Sequence, residues 1–150
     1  MMVMVDSNFL IKLVSNKQST KVFLQSLKRR ELFIGFPTPV ISEFLVRDEN
    51  SSRINFINKV NSYSEIYDYD MKSAVAGAKI FRDLKEKDYF SQNNGTRQII
   101  KVDIQIIAIT LSNKIKEIYT EDKGLIQIIK KLNLPIVTSN LDTDDFQLKP

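Results

Sequence analysis

Short apolar runs alternate with longer stretches of helical periodicity along the whole of this 150-residue chain. Met2–Val5 is apolar throughout and stops at Asp6, after which residues 9–14 take on helical character. Val22, Phe23 and Leu27 predict a helix over residues 20–30, ending in Lys28-Arg29-Arg30, a charge that suits a helix C-terminus. Residues 32–36 read as a strand halted by Pro37, and Thr38-Pro39 as a cap and first-turn proline opening a helix through Val46. A helix is expected over residues 52–60 and a strand over 65–69. Asp70 then caps a long helix to about Glu86, with Val75, Ala78, Phe81 and Leu84 as its apolar positions. Residues 87–96 are the most loop-like. Beyond them come a helix over about 98–112, a strand over 117–120, a helix over 125–132, a strand over 134–138 and a polar, acidic tail over 139–150.

Strands that alternate with helices imply an α/β fold, a parallel sheet covered on both faces. Ligands of such sheets bind beyond the carboxyl ends of the strands, and Asp6 and Asp122 both lie just past one. No repeat or Pro/Gly-rich linker interrupts the pattern, so residues 1–150 are expected to form one domain. No run approaches the ~18 apolar residues of a membrane span, and no basic segment leads into an apolar signal. A cytoplasmic protein that does not enter the membrane is expected.

Composition narrows the chemistry. The chain has no Cys and no His. Disulfides, thiolate or imidazole metal sites and Ser-His-Asp triads are therefore excluded. Any catalysis must use carboxylates, Lys, Tyr or hydroxyls. The 22 basic and 18 acidic residues leave a net charge of +4, which suits a phosphate-rich partner without requiring one.

Four carboxylates are candidates. Asp6 is either a helix N-cap or a strand-tip metal ligand supported by Ser7 and Asn8. Glu43 falls opposite the stripe of Ile41, Phe44 and Leu45, where an ordinary solvated acid also belongs. Asp103 is more telling. At about 100° per residue, Ile100, Ile104, Ile107 and Leu111 lie on one side of it and Val102, Ile106 and Ile109 on the other, while Lys101, Gln105 and Ser112 gather nearly opposite. Asp103 thus points away from the solvent face, and a buried charge must be paired, capping a helix that starts later, or bound to a cation. Asp122 can cap the following helix or bind metal with Thr120 orienting it, and Glu121 competes for that role. Together these acids suit Mg²⁺ or Mn²⁺, which take oxygen ligands and can drive hydrolysis of a phosphodiester.

In order, Met4-Val5-Asp6-Ser7-Asn8-Phe9-Leu10-Ile11, Ser42-Glu43-Phe44-Leu45, Asp103-Ile104-Gln105-Ile106-Ile107-Ala108-Ile109-Thr110 and Thr120-Glu121-Asp122 resemble the motifs of the PIN domain, particularly VapC-type toxin ribonucleases. The resemblance spans about residues 3–138. It implies a three-layer α/β/α sandwich with a central parallel sheet, and Mg²⁺- or Mn²⁺-dependent cleavage of RNA by Asp6, Glu43, Asp103 and Asp122. Ser7, Asn8 and Thr120 would support that site. The resemblance also implies a homodimer and a cognate antitoxin partner. Gly124 stands where some members carry a polar residue, so no fifth ligand is expected there. Arg97 and Lys101, just before Asp103, are the candidate RNA contacts. Lys28, Arg29, Arg30, Arg82, Lys85 and Lys87 could join that surface, and Tyr63, Tyr67, Tyr69 and Tyr89 could stack on bases or simply pack. The alternatives are an inactive PIN-like module binding RNA or protein, a nuclease of RNA processing, and a phosphatase or DNA nuclease with a similar acidic site.

Overall fold

A computed structural model of the chain describes residues 1–92 and 97–140, the side chains of residues 97–99 excepted. Five strands, β1 (Met2–Val5), β2 (Phe33–Pro37), β3 (Ser64–Tyr67), β4 (Glu117–Tyr119) and β5 (Val137–Ser139), form one sheet in the order β3-β2-β1-β4-β5. Every pairing is parallel. Between β1 and β2 run α1 (Ser7–Val14) and α2 (Lys17–Arg30), and between β2 and β3 run α3 (Thr38–Leu45) and α4 (Ser52–Lys59). The chain then crosses back through α5 (Met71–Glu86), α6 (Tyr89–Gln92) and α7 (Arg97–Ser112) to β4, and through α8 (Lys123–Lys131) to β5. Parallel crossovers are right-handed, so reversing direction along the sheet puts α1–α4 on one face and α5–α8 on the other. This is the three-layer α/β/α arrangement that the alternating pattern implies.

With helices on both faces, the central strand has no solvent side: Val3, Met4 and Val5 are all fully buried. Against β4 pack Phe9 and Phe23, whose rings lie 5.4 and 6.0 Å from that of Tyr119, and Arg30 donates to the Tyr119 hydroxyl at 3.0 Å. On the other face of the sheet, Gly35 leaves room for Met4 and Tyr67. A Cβ there would stand 2.6 Å from Met4 Sδ and 3.1 Å from the Tyr67 ring. Gly35→Ala is therefore expected to destabilise the fold by about 1–3 kcal/mol, the usual cost of overpacking, read as a lower urea midpoint at unchanged m-value.

Several elements depart from the pattern. The buried face of α5 is Ser73, Gly77, Ile80 and Leu84, while Val75 and Phe81 are 63% and 42% exposed and Ala78 is exposed too. Small residues rather than large ones mark this face because α5 and α7 approach closely: Ser73 and Ser112 hydroxyls are 2.9 Å apart, and a Cβ on Gly77 would lie 3.6 Å from that of Ala108. Thr38 is the first helical residue of α3 rather than its cap, with Pro37 in the cap position and no side-chain bond. α2 begins three residues earlier than its apolar spacing shows, because Asn16 caps it through the amides of Gln18 and Ser19. Within the loop-like 87–96 segment, Tyr89–Gln92 is a short helix with Tyr89 buried. β5 starts later than residue 134, since Leu134 closes the end of α8 through a bond from its amide to the Ile129 carbonyl. The acidic tail beyond Asn140 lies outside the described residues.

Candidate active site

β1 and β4 are neighbours, yet the chain leaves them in opposite directions, so their tips form the switch point of the sheet. Asp6 follows β1 and Asp122 follows β4. Both are helix N-caps: Asp6 Oδ1 accepts from the Phe9 amide at 2.7 Å and Asp122 Oδ1 from the Leu125 amide at 3.0 Å. The capping and strand-tip readings of these residues are thus compatible, since capping occupies one oxygen and leaves the other facing across the tip.

Thr120 joins the two. Its buried hydroxyl donates to Asp6 Oδ2 and accepts from the Asp122 amide at 3.0 Å. On the first helix, Ser7 donates to Glu43 Oε2 at 2.5 Å and Asn8 Nδ2 donates to Asp122 Oδ2 at 3.4 Å. Each small polar residue singled out beside the acids therefore bonds a carboxylate, and all three link separate segments of the chain.

Asp103 sits seven residues into α7, so it does not cap that helix. It is 6% exposed, and among the described residues its carboxylate has no hydrogen-bond donor and no cation. Burial, and then the charges of Asp122, Glu43 and Asp6, push its pKa up from 3.8 to about 7. Asp6, 3% exposed, is raised to about 6 by the same burial, despite the opposing bonds from Thr120 and the Phe9 amide. Glu43 stands exposed at the rim. The four acids thus face one another, brought together from β1, α3, α7 and β4.

Glu121 is held elsewhere. Lys12 Nζ takes both of its oxygens, at 2.8 and 3.0 Å. Asp122 is the one of the pair that repels Asp6 and Asp103. A Cβ on Gly124 would lie 3.2 Å from Asp103 Oδ2 and 3.2 Å from Asp122 Oδ1, so both oxygens open onto the space that this glycine leaves.

Lys101 is exposed on the other side of α7 from Asp103, beside Phe81, Lys85 and Phe90. Helical periodicity separates the two, although they are close in sequence. The Arg97 side chain lies outside the described residues. Sequence reasoning missed the position of Tyr89, buried near the acids, its pKa raised by burial and then by Asp103 and Asp122. Its surroundings in the polar stretch 87–96 carry no periodicity that would have shown this.

Among the described residues no three carboxylates stand close enough to form a ready-made metal cage. Mg²⁺, however, binds through one or two carboxylates and keeps several waters. A buried acid without a donor, like charges around it and an all-oxygen donor set fit such an ion, and the space beside Gly124 gives it room.

No family model matches the sequence, and no curated protein matches it. Solved structures do. VapBC2 from Rickettsia felis bound to a DNA fragment from its promoter matches with a TM-score of 0.67 at 14% identity, over 93% of this chain and 98% of that one. The fold is PIN-like. DNA-bound VapBC from Salmonella typhimurium and VapBC-1 from nontypeable Haemophilus influenzae match with TM-scores of 0.64 and 0.62 at 18% and 17% identity, over the same shares of each chain. In this PIN-like fold the switch point between β1 and β4 carries the acidic cluster. Among the described residues no helix is long and apolar enough to cross a membrane.

Proposed function

We propose that the chain is a Mg²⁺- or Mn²⁺-dependent endoribonuclease, the toxin of a toxin–antitoxin pair, with Asp6, Glu43, Asp103 and Asp122 as its site. The observation that carries this reading is Asp103: a carboxylate buried in mid-helix, with no donor among the described residues, under the charge of three other acids. A fold whose only evident role for that acid is to face other acids is costly unless a cation joins them.

Asp6, Asp103 and Asp122 would hold the ion directly or through water, with Thr120 fixing Asp6 and the start of the Asp122 segment. A bound divalent ion supplies an activated water and neutralises the leaving oxygen of the phosphodiester. Glu43 stands at the solvent edge with Oε2 held by Ser7, leaving Oε1 to accept a proton. The Asn8 amide orients Asp122 from the opposite side. Likeness to VapBC structures supports an antitoxin partner, and exposed Met71, Val75 and Phe81 on α5 offer a homodimer an apolar surface.

Incubation with single-stranded RNA and a matched DNA tests the reading. RNA cleavage that needs Mg²⁺ or Mn²⁺ and stops with EDTA is expected. Cleavage that persists in EDTA, or none with either ion, overturns it. The lack, among the described residues, of three carboxylates close enough to cage an ion favours a second reading, an inactive PIN-like module, and Mn²⁺ titration separates the two: no binding at the cluster, with RNA binding intact, selects the module.

Gly124→Ala probes the space between Asp103 and Asp122. Alanine suits a helix better than glycine by up to about 1 kcal/mol, so the metal-free protein should melt at the same or a higher temperature. Its methyl group would nevertheless crowd both oxygens, and Mn²⁺ affinity, read by calorimetry, should fall about tenfold.

A further inference from the structure

We infer that a lysine-lined groove along α2 holds the phosphate backbone of the RNA strand beyond the bond that is cut, a step that rests on the ribonuclease reading. Lys17, Lys21 and Lys28 are 4 and 7 residues apart, so at about 100° per residue they form one stripe within about 40°. Lys59, at the end of α4, faces them across an open groove of about 500 Å³ floored by Val14 and Leu24. All four lysines are exposed, and among the described residues no carboxylate lines the groove. Among the described residues none of the four has an ion-pair partner, whereas Lys12 and Lys79 do.

Position joins this groove to the acids. Asp6 caps α1, and Val14, its last residue, lies about 12 Å further on at 1.5 Å per residue. α2 folds back against α1, Thr20 Oγ1 donating to the Leu13 carbonyl at 2.9 Å and the Phe23 ring lying 5.5 Å from that of Phe9, and its lysine stripe spans about 16 Å. A strand leaving the carboxylates along α1 thus meets positive charge within a few nucleotides. Among the described residues no aromatic ring lines the groove, and the nearby Tyr63 ring is covered by Lys28, 5.7 Å from Nζ. Contacts to phosphates without reading of sequence follow.

The test is fluorescence anisotropy of a labelled single-stranded RNA 20-mer with the full chain in EDTA, across a salt series. The variant Lys17→Gln/Lys21→Gln/Lys28→Gln is compared with Lys72→Gln/Lys79→Gln on α5, across the sheet. At about −0.7 per phosphate contact, the groove variant should lose about 2 from the slope of log K against log salt. It should also bind at least tenfold more weakly at low salt, with the α5 variant unchanged. Unchanged affinity and slope in the groove variant, or equal losses in both variants, overturn the inference. So does competition by polyglutamate at concentrations where poly(U) fails, which would assign the groove to an acidic protein. With Mn²⁺ restored, the groove variant should raise KM at constant kcat. If the wild type binds RNA through these lysines but cuts nothing, the ribonuclease reading fails and the groove stands.

Discussion

Asp103→Asn should abolish Mg²⁺- or Mn²⁺-dependent RNA cleavage, by at least about 10²–10³-fold, while making the metal-free protein more stable at neutral pH. The two effects have one cause. Asp103 and Asp6 have pKa values of about 7 and about 6 against an ordinary 3.8. Between pH 4 and 7 the folded chain therefore keeps protons that the unfolded chain has released. Stability then falls as pH rises through that window, and the loss is complete above the folded pKa values. Removing one charge from the cluster removes the desolvation of that charge and its repulsion from the others. About 1–2 kcal/mol is expected in urea melts at pH 7.5 with EDTA, less than the full shift would give because solvent reaches the rim of the cluster. At pH 4, where the acid is protonated, Asn and Asp should differ little. Mn²⁺ should reverse the wild-type trend by raising its melting temperature at pH 7.5 and not at pH 4. A variant that is inactive and less stable at pH 7.5 would show that Asp103 has a structural partner instead.

The sequence shows Asp103 to be unusual because helical periodicity is a local property. Seven residues on either side suffice to reveal an acid among isoleucines. The same reasoning misjudged α5, where Val75 and Phe81 read as core and are exposed, while Ser73 and Gly77 face α7. Apolar size marks a core face only where the partner helix stands at ordinary distance, and close approach selects small residues instead. Glu121 and Asp122 could not be separated in sequence because the residue that holds Glu121, Lys12, is 109 positions from it. Glu43 is an ordinary exposed acid by periodicity, and its relation to the cluster comes from Ser7, 36 positions away. The alternation of elements was legible. The long-range pairings that orient Asp6, Glu43, Glu121 and Asp122 were not.

Asp6 allows charge and cap to be tested apart, with opposite outcomes for two variants at one position. Asp6→Asn keeps an acceptor for the Phe9 amide, and Asn caps a helix as well as Asp does. Its carboxamide can also donate to the Thr120 oxygen, so the link between β1 and β4 survives in altered polarity. The fold should hold to within about 1 kcal/mol while cleavage falls at least about 10²-fold, because the charge that would hold the cation is gone. Asp6→Ala removes the acceptor for Phe9, at a cost of about 1–2 kcal/mol. It also strands the buried Thr120 hydroxyl without its acceptor, which costs about 1–3 kcal/mol more. Thr120 also receives the Asp122 amide, so the loss should spread to the start of α8 and appear as faster amide exchange at Leu125. Equal stability of the two variants would mean that Asp6 serves the cluster and not the frame. Equal cleavage by Asp6→Asn and the wild type would remove Asp6 from the site.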